Sequence, residues 1–286
     1  MTQSQELRLG VIGDPIAHSK SPVMHAAALR ARDMAGEYIA LHVTPDRLEE
    51  TIGAVRRQGY RGINVTIPHK ENVMAYLDEL SDEARRIGAV NTIVNDGGRL
   101  IGRNTDGIGY VRSLKEEAAA RLEGRRIVVI GAGGAARGIV HALAAEGPDR
   151  ITLLNRTTQR AEALAREWSD LADIRALASE RTAEALADAD IVINTTSVGM
   201  HPHTEELPLD PALLRGTEIV SDLIYNPLET RLLKQAREAG CVTHGGLGMF
   251  VYQGAYAFEY WTGAPAPIEE MRAAVLASMG VSARNG

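Results

Sequence analysis

The stretch that most restricts what this chain can fold into runs from Arg126 to Gly147, RIVVIGAGGAARGIVHALAAEG, where a short apolar strand empties into glycines and then a helix-forming run. Gly131 and Gly133 predict a tight turn whose backbone N–H groups approach a pyrophosphate, and Ala136 fills the third small position, where helix packs on strand. The helix behind the turn aims the positive end of its dipole at the same anion. Glycines also gather at ordinary strand-to-helix turns, so the loop needs context, and Ile151 to Leu154 supplies it as a second apolar run at βαβ spacing. Where an acidic residue normally ends that strand and holds a ribose 2′-hydroxyl, this chain has Asn155-Arg156-Thr157, and an arginine there suits a 2′-phosphate. NADP(H) is expected over NAD(H).

A chain of 286 residues, 45% of them hydrophobic, is long enough for two domains, each with its own core. A formal charge of -6 and the lack of a Lys/Arg cluster leave no docking stripe for nucleic acid or a membrane surface. Cys241 is the single cysteine, which excludes an intrachain disulfide framework and fits a reducing compartment. The beginning, MTQSQELRLGVIG, lacks a charged segment followed by an apolar one, so the expected location is cytoplasmic.

Taken in order, Leu7 to Ile12 reads as a strand that opens into Gly13-Asp14-Pro15-Ile16-Ala17-His18-Ser19-Lys20-Ser21-Pro22. Ser21 before Pro22 reads equally as a helix N-cap or a ligand contact, whereas Ser19 has no capping role to explain it; the two hydroxyls make a plausible carboxylate cradle. A strand (Glu37 to Val43), an amphipathic helix (Pro45 to Gln58) and a strand (Gly62 to Val65) follow, so the first hundred residues form a separate α/β domain. Its third strand ends in Asn64-Val65-Thr66-Ile67-Pro68-His69-Lys70, with Lys70 at the start of a helical run, where the dipole disfavours a cation. Ligands of open α/β sheets sit beyond the carboxyl ends of strands, which is where Asn64, Thr66 and Lys70 fall.

Ser81 to Ile87 reads as a short helix, and Ala89 to Val94 as a strand that turns at Asn95-Asp96-Gly97-Gly98. The return strand delivers Asp106, which either caps the long helical run Ile108 to Leu122 or serves a ligand at the hinge between domains. Ile191 to Asn194 and Glu218 to Leu223 complete a doubly wound sheet. His201-Pro202-His203 has no third ligand nearby, and no metal site is expected. Met249 to Trp261 and Ile268 to Met279 read as helices behind a turn at Gly245-Gly246-Leu247-Gly248, with Gln253 carried back toward the first domain.

The motifs GDPIAHSKSP, GINVTIPHK, GAVNT, GRNTDG, GAGGAARG, NRTTQR, NTTSVGM, DLIYNP and GLGMFVYQG, in this order over nearly the whole chain, closely resemble the shikimate dehydrogenase family. His25 is followed by Ala26 where that family usually has Asn. The resemblance implies two α/β domains: an N-terminal substrate domain completed by the C-terminal helices (1–106 plus 247–286) and a Rossmann-like doubly wound NADP-binding domain (107–246). It implies reversible reduction of 3-dehydroshikimate to shikimate with NADPH, in aromatic amino acid biosynthesis, by a monomer or homodimer.

By motif match, Lys70 and Asp106 are the catalytic pair, Ser19 and Ser21 hold the substrate carboxylate, and Thr66, Asn91, Asp106, Tyr225 and Gln253 line the ring, with Asn64 nearby. Gly131, Ala132, Gly133, Gly134 and Ala135 cradle the pyrophosphate; Asn155, Arg156, Thr157 and Arg160 surround the ribose phosphate; Leu223 and Gly246 flank the nicotinamide. A cationic lysine beside the reacting oxygen both stabilises developing charge and supplies a proton, while Asp106 orients the lysine; which of the two holds the shuttled proton stays open. The alternatives are a quinate or aminoshikimate dehydrogenase of the same fold and a non-catalytic NADP(H)-binding regulator.

Overall fold

The computed structural model describes residues 6–281, so Met1 to Gln5 of the leading stretch lie outside the described residues. The chain divides into two compact units, Met1–Thr105 with Val251–Gly286, and Asp106–Phe250. Their boundaries, after Thr105 and after Phe250, stand one and four residues from the limits expected from the sequence.

In the first unit, β1 (Leu7–Gly13), α1 (Ser21–Ala31), β2 (Gly36–His42), α2 (Leu48–Arg57), β3 (Gly62–Val65), β4 (Glu79–Leu80), α3 (Asp82–Ile87), β5 (Thr92–Asp96) and β6 (Arg99–Arg103) follow in order. The sheet order is β2-β1-β3-β5-β6-β4. β1 runs parallel to β2 and β3, whereas β5 runs antiparallel to β3 and β6. The turn between β5 and β6 takes positive φ at both Gly97 (59°) and Gly98 (96°), the backbone that matches the twist of a two-residue hairpin. One face is filled by Ile12, Ile52, Ile63, Val65, Ile93 and Leu100.

The second unit holds α4 (Asp106–Glu117), β7 (Arg126–Ile130), α5 (Gly134–Ala144), β8 (Arg150–Asn155), α6 (Thr158–Glu167), β9 (Ile174–Ala178), α7 (Thr182–Leu186), β10 (Ile191–Asn194), β11 (Ile219–Asp222), α8 (Arg231–Glu238) and β12 (Val242–His244). Its sheet, β12-β11-β10-β7-β8-β9, is parallel throughout. That is the doubly wound order with its switch point between β7 and β10. α9 (Gly246–Thr262) runs from the second range into the first, and α10 (Ile268–Ser278) follows it.

Two helices differ from expectation. α4 stops at Glu117, five residues before Leu122, although alanines follow. Ala119 turns into the left-handed region (φ 49°), and Leu122 is buried in the core beneath α5, so burial of that leucine overrides the helix propensity of the alanines. α9 begins at Gly246, so the expected glycine turn is already helix from its second residue.

Candidate active site

The register of the first sheet gathers polar residues at one end. Asn64, the third residue of β3, lies opposite Thr92, the first of β5, and Thr92 lies opposite Arg103 at the end of β6. The loop after β1, the loop after β3, the start of β5 and the exit of β6 therefore share one edge, which places Ser19, Asn64, Thr66, Lys70 and Asn91 there together.

The cap open to Ser21 is not made by it: the N-cap of α1 is Lys20. Ser21 is a helical residue of α1 rather than its cap, and its backbone N–H donates to Ser19 Oγ at 3.3 Å. Ser19, which had no capping explanation, is the residue that meets the helix end. Lys70 also differs from expectation: it is followed by a 3-10 helix over Asn72–Tyr76, not an α-helix, so the dipole argued from sequence is that of five residues only. The loop is fixed by His69 instead. That ring is fully buried, and its Nε2 lies 2.6 Å from the Val43 carbonyl, an acceptor only, so Nε2 carries the proton. Thr66 O accepts from His69 N at 2.9 Å, and Lys70 O accepts from Val90 N at 2.8 Å. Lys70 thus stands on a loop clamped on both sides.

Asn91 is buried, and its Oδ1 accepts from the backbone N–H of Thr105 at 2.8 Å, the residue directly before Asp106. Asp106 itself is the first residue of α4, one place inside the cap position. Gln253 lies on α9 one residue before Gly254, where that helix packs so closely on α1 that a side chain would overlap the Met24 methyl. Sequence reading missed Tyr38, Thr92 and Thr105, buried polar side chains bonded to Asn64 or Asn91; Tyr38 and Thr92 sit where strands ordinarily carry aromatics and threonines, so periodicity gave no signal.

In the second unit the glycine loop lies at the switch point. Gly131 has φ 111°, and a Cβ there would sit 2.5 Å from Thr195 Oγ1, at the end of neighbouring β10. Gly133 is the N-cap of α5 and provides no side-chain capping bond to the helix N–H groups. A Cβ at Gly133 or Gly134 would meet nothing within 4 Å, so open space lies above the helix end, as an anion cradle requires. Ala132 and Ala135 flank those glycines, and Ala136 is fully buried against the sheet. At the end of β8, Asn155 Nδ2 donates to Thr157 O at 2.8 Å, and Arg156, Thr157 and Arg160 follow it at the surface. The Leu223 carbonyl lies against Gly246 where a side chain would be, which brings those two residues together. Tyr225 stacks on Phe250 with ring centroids 4.7 Å apart, and burial raises its pKa.

Among the described residues, no group of three or more His, Cys, Asp or Glu is placed to hold a metal, and no helix is long and apolar enough to cross a membrane.

Three family models match the chain: the shikimate dehydrogenase substrate binding domain over residues 11–93, shikimate / quinate 5-dehydrogenase over 113–206, and the shikimate 5'-dehydrogenase C-terminal domain over 246–276. A shikimate dehydrogenase (NADP(+)) of Symbiobacterium thermophilum is 50% identical over 277 residues, covering 95% of this chain and 94% of the relative. Shikimate 5-dehydrogenase of Thermus thermophilus, solved in complex with NADP(H) and shikimate, is 39% identical with a TM-score of 0.87, over 95% of this chain and 99% of that one. Quinate dehydrogenase of Corynebacterium glutamicum, solved with NAD, is 33% identical with a TM-score of 0.89, over 95% of this chain and 99% of that one.

Proposed function

The chain belongs to the shikimate dehydrogenase family, and from that premise we propose that it interconverts 3-dehydroshikimate and shikimate with NADP(H), on the route to aromatic amino acids. The observation that carries this reading is the gathering of Ser19, Thr66, Lys70 and Asn91 at one sheet end, immediately ahead of Asp106.

The cofactor residues fit a phosphorylated dinucleotide. The open cradle over Gly133 and Gly134 suits a pyrophosphate between Gly131 and Ala135, and β8 ends in Asn155-Arg156 in place of a carboxylate, with Thr157 and Arg160 beside them. Leu223 and Gly246 are the residues assigned to the nicotinamide. The bound dinucleotide supplies or accepts the hydride.

Lys70 serves as the acid that protonates the developing alkoxide in reduction and takes the proton back in oxidation, its charge favouring the anionic oxygen. Asp106 accepts a hydrogen bond from a substrate hydroxyl. Ser19 and Ser21 receive the carboxylate, and Thr66, Asn91, Tyr225 and Gln253 contact the ring. Asn64 stands nearby with both amide hydrogens already donated inside the protein, to Asn91 O and Thr92 Oγ1. The net charge of -6 and the single cysteine support a cytoplasmic protein without nucleic-acid or membrane partners, and the family resemblance a monomer or homodimer.

Initial rates of oxidation of shikimate and of quinate, each with NADP+ and with NAD+, test the proposal. A strong preference for shikimate with NADP+ is expected. Preference for quinate or NAD+ would move the activity to that of the Corynebacterium relative's type, and NADP+ binding without turnover would indicate a regulator.

A further inference from the structure

We propose that the Asp222 carboxylate is the protein's counter-charge for the oxidised cofactor, favouring the cationic nicotinamide ring of NADP+ over the neutral ring of NADPH. The inference rests on the reading of Leu223 and Gly246 as nicotinamide residues and deepens it.

Asp222 ends β11, and it is fully buried. Its oxygens accept three hydrogen bonds: Oδ1 from Asn194 Nδ2 and from Ile224 N, each at 3.1 Å, and Oδ2 from Thr230 Oγ1 at 2.8 Å. All three donors are neutral, and among the described residues no cation pairs with the carboxylate. These bonds do not call for a charge. The oxygen of an amide would accept from Asn194 and Ile224, and its nitrogen would donate to the Thr230 hydroxyl, whose oxygen accepts as well as donates. The chain nevertheless keeps a carboxylate there, at a cost in stability once it ionises: burial raises its pKa from 3.8 to about 6. A buried charge without a partner is stabilised by a ligand of opposite sign, so its place marks where the ligand's charge belongs.

That place adjoins both nicotinamide residues. Leu223 follows directly, and its N–H donates to Asn194 O at 3.1 Å. Ile224, whose N–H binds Asp222 Oδ1, accepts from Gly246 N at 3.2 Å through its carbonyl. The Asp222 charge also acts beyond its own hydrogen bonds. Side chains alternate along β11, so Ser221 faces the other side of the sheet, where Tyr110 donates to it at 2.9 Å. Burial raises the Tyr110 pKa, and the Asp222 charge raises it further. The cofactor phosphates meet that field equally in both redox forms, which leaves the positive charge of the oxidised ring as the difference.

Calorimetric titration at pH 8 with NADP+, NADPH and 2′,5′-ADP tests this in wild type, Asp222→Asn, Asp222→Ser, Thr230→Val and Leu223→Ala. In both Asp222 variants the ratio of Kd for NADP+ to Kd for NADPH should rise about threefold to tenfold, the effect of one charge acting without direct contact. Thr230→Val removes a hydrogen bond and keeps the charge, so its ratio should stay within about twofold of wild type. 2′,5′-ADP, which has no nicotinamide, should bind both Asp222 variants as it binds wild type, showing that they are folded. An unchanged ratio in the Asp222 variants, or an equal shift in Thr230→Val, would overturn the counter-charge. Leu223→Ala tests the underlying reading by itself: it should weaken NADP+ and NADPH alike and spare 2′,5′-ADP. If it spares all three, the nicotinamide assignment fails; if it behaves as expected while the Asp222 ratio does not move, the counter-charge alone fails.

Discussion

Thr195 occupies the space into which a side chain at Gly131 would grow: its Oγ1 lies 2.5 Å from where that Cβ would be, and Gly131 adopts φ 111°, a backbone that other residues rarely take. Two residues on, at Gly133, the surroundings are empty for 4 Å. The glycines therefore separate by test. Gly131→Ala should destabilise the second unit by about 1–3 kcal/mol through strain and overlap. Gly133→Ala should melt like wild type yet bind NADP+ about tenfold or more weakly, because its methyl enters the anion cradle. Thermal melts paired with fluorescence titration of NADP+ check both; wild-type affinity in Gly133→Ala would remove the pyrophosphate from this loop.

Lys70 stands on a loop pinned by His69 and Val90, so its removal should cost chemistry and not fold. Lys70→Ala is expected to lower kcat by about 10²–10⁴-fold, with KM for shikimate within about threefold. Stopped-flow single turnovers read the chemical step directly, and an undiminished rate would end the assignment.

Arg156→Ala asks which phosphate the end of β8 recognises. Loss of a charge-assisted hydrogen bond predicts a rise of about tenfold to a hundredfold in KM for NADP+. KM for NAD+, which lacks the 2′-phosphate, should stay where it is. Equal effects on both cofactors would mean that Arg156 serves the shared part of the dinucleotide.

Two buried groups bend the stability of the units in opposite senses. Burial lowers the His25 pKa from 6.5 to about 3, so the fold holds it neutral; its contribution is present above about pH 6.5 and is lost as pH falls toward 3. Burial raises the Asp222 pKa from 3.8 to about 6, against hydrogen bonds from Ile224 N, Thr230 and Asn194. Its contribution is present below about pH 3.8 and is lost as pH rises through 6, by at most about 3 kcal/mol. Asp222→Asn should thus raise the melting temperature of the second unit at pH 7.5 and leave it near wild type at pH 4.5. A gain of equal size at both pH values would show that ionisation of Asp222 carries no penalty.

The sequence made legible what depends on short local patterns. Gly131 to Ala136, the hairpin glycines 97 and 98 and the polar residues after β3 each announce themselves within a few positions. The hidden parts depend on which strands lie side by side. Tyr38 and Thr92 fit ordinary strand alternation, and only the order β2-β1-β3-β5 reveals that their hydroxyls meet Asn64. The place of Ser21 inside α1 was invisible for a related reason: where the first helical turn closes is a matter of one residue. Leu122 shows the converse, a buried side chain that ends a helix which local propensity would have continued.

Gly62 lies so close beneath Trp261 that no side chain fits there, and the indole N–H of Trp261 donates to Ile93 O at 2.9 Å while its carbonyl accepts from Arg61 at 2.8 Å. An essential piece of the first unit's core is thus supplied 168 residues after Ile93, the strand residue it bonds. During synthesis, every residue of Asp106–Phe250 leaves the ribosome before Trp261 does, whereas β3 and β5 must wait with one face uncovered. The second unit can complete its fold on the nascent chain, and the first closes last although it begins first.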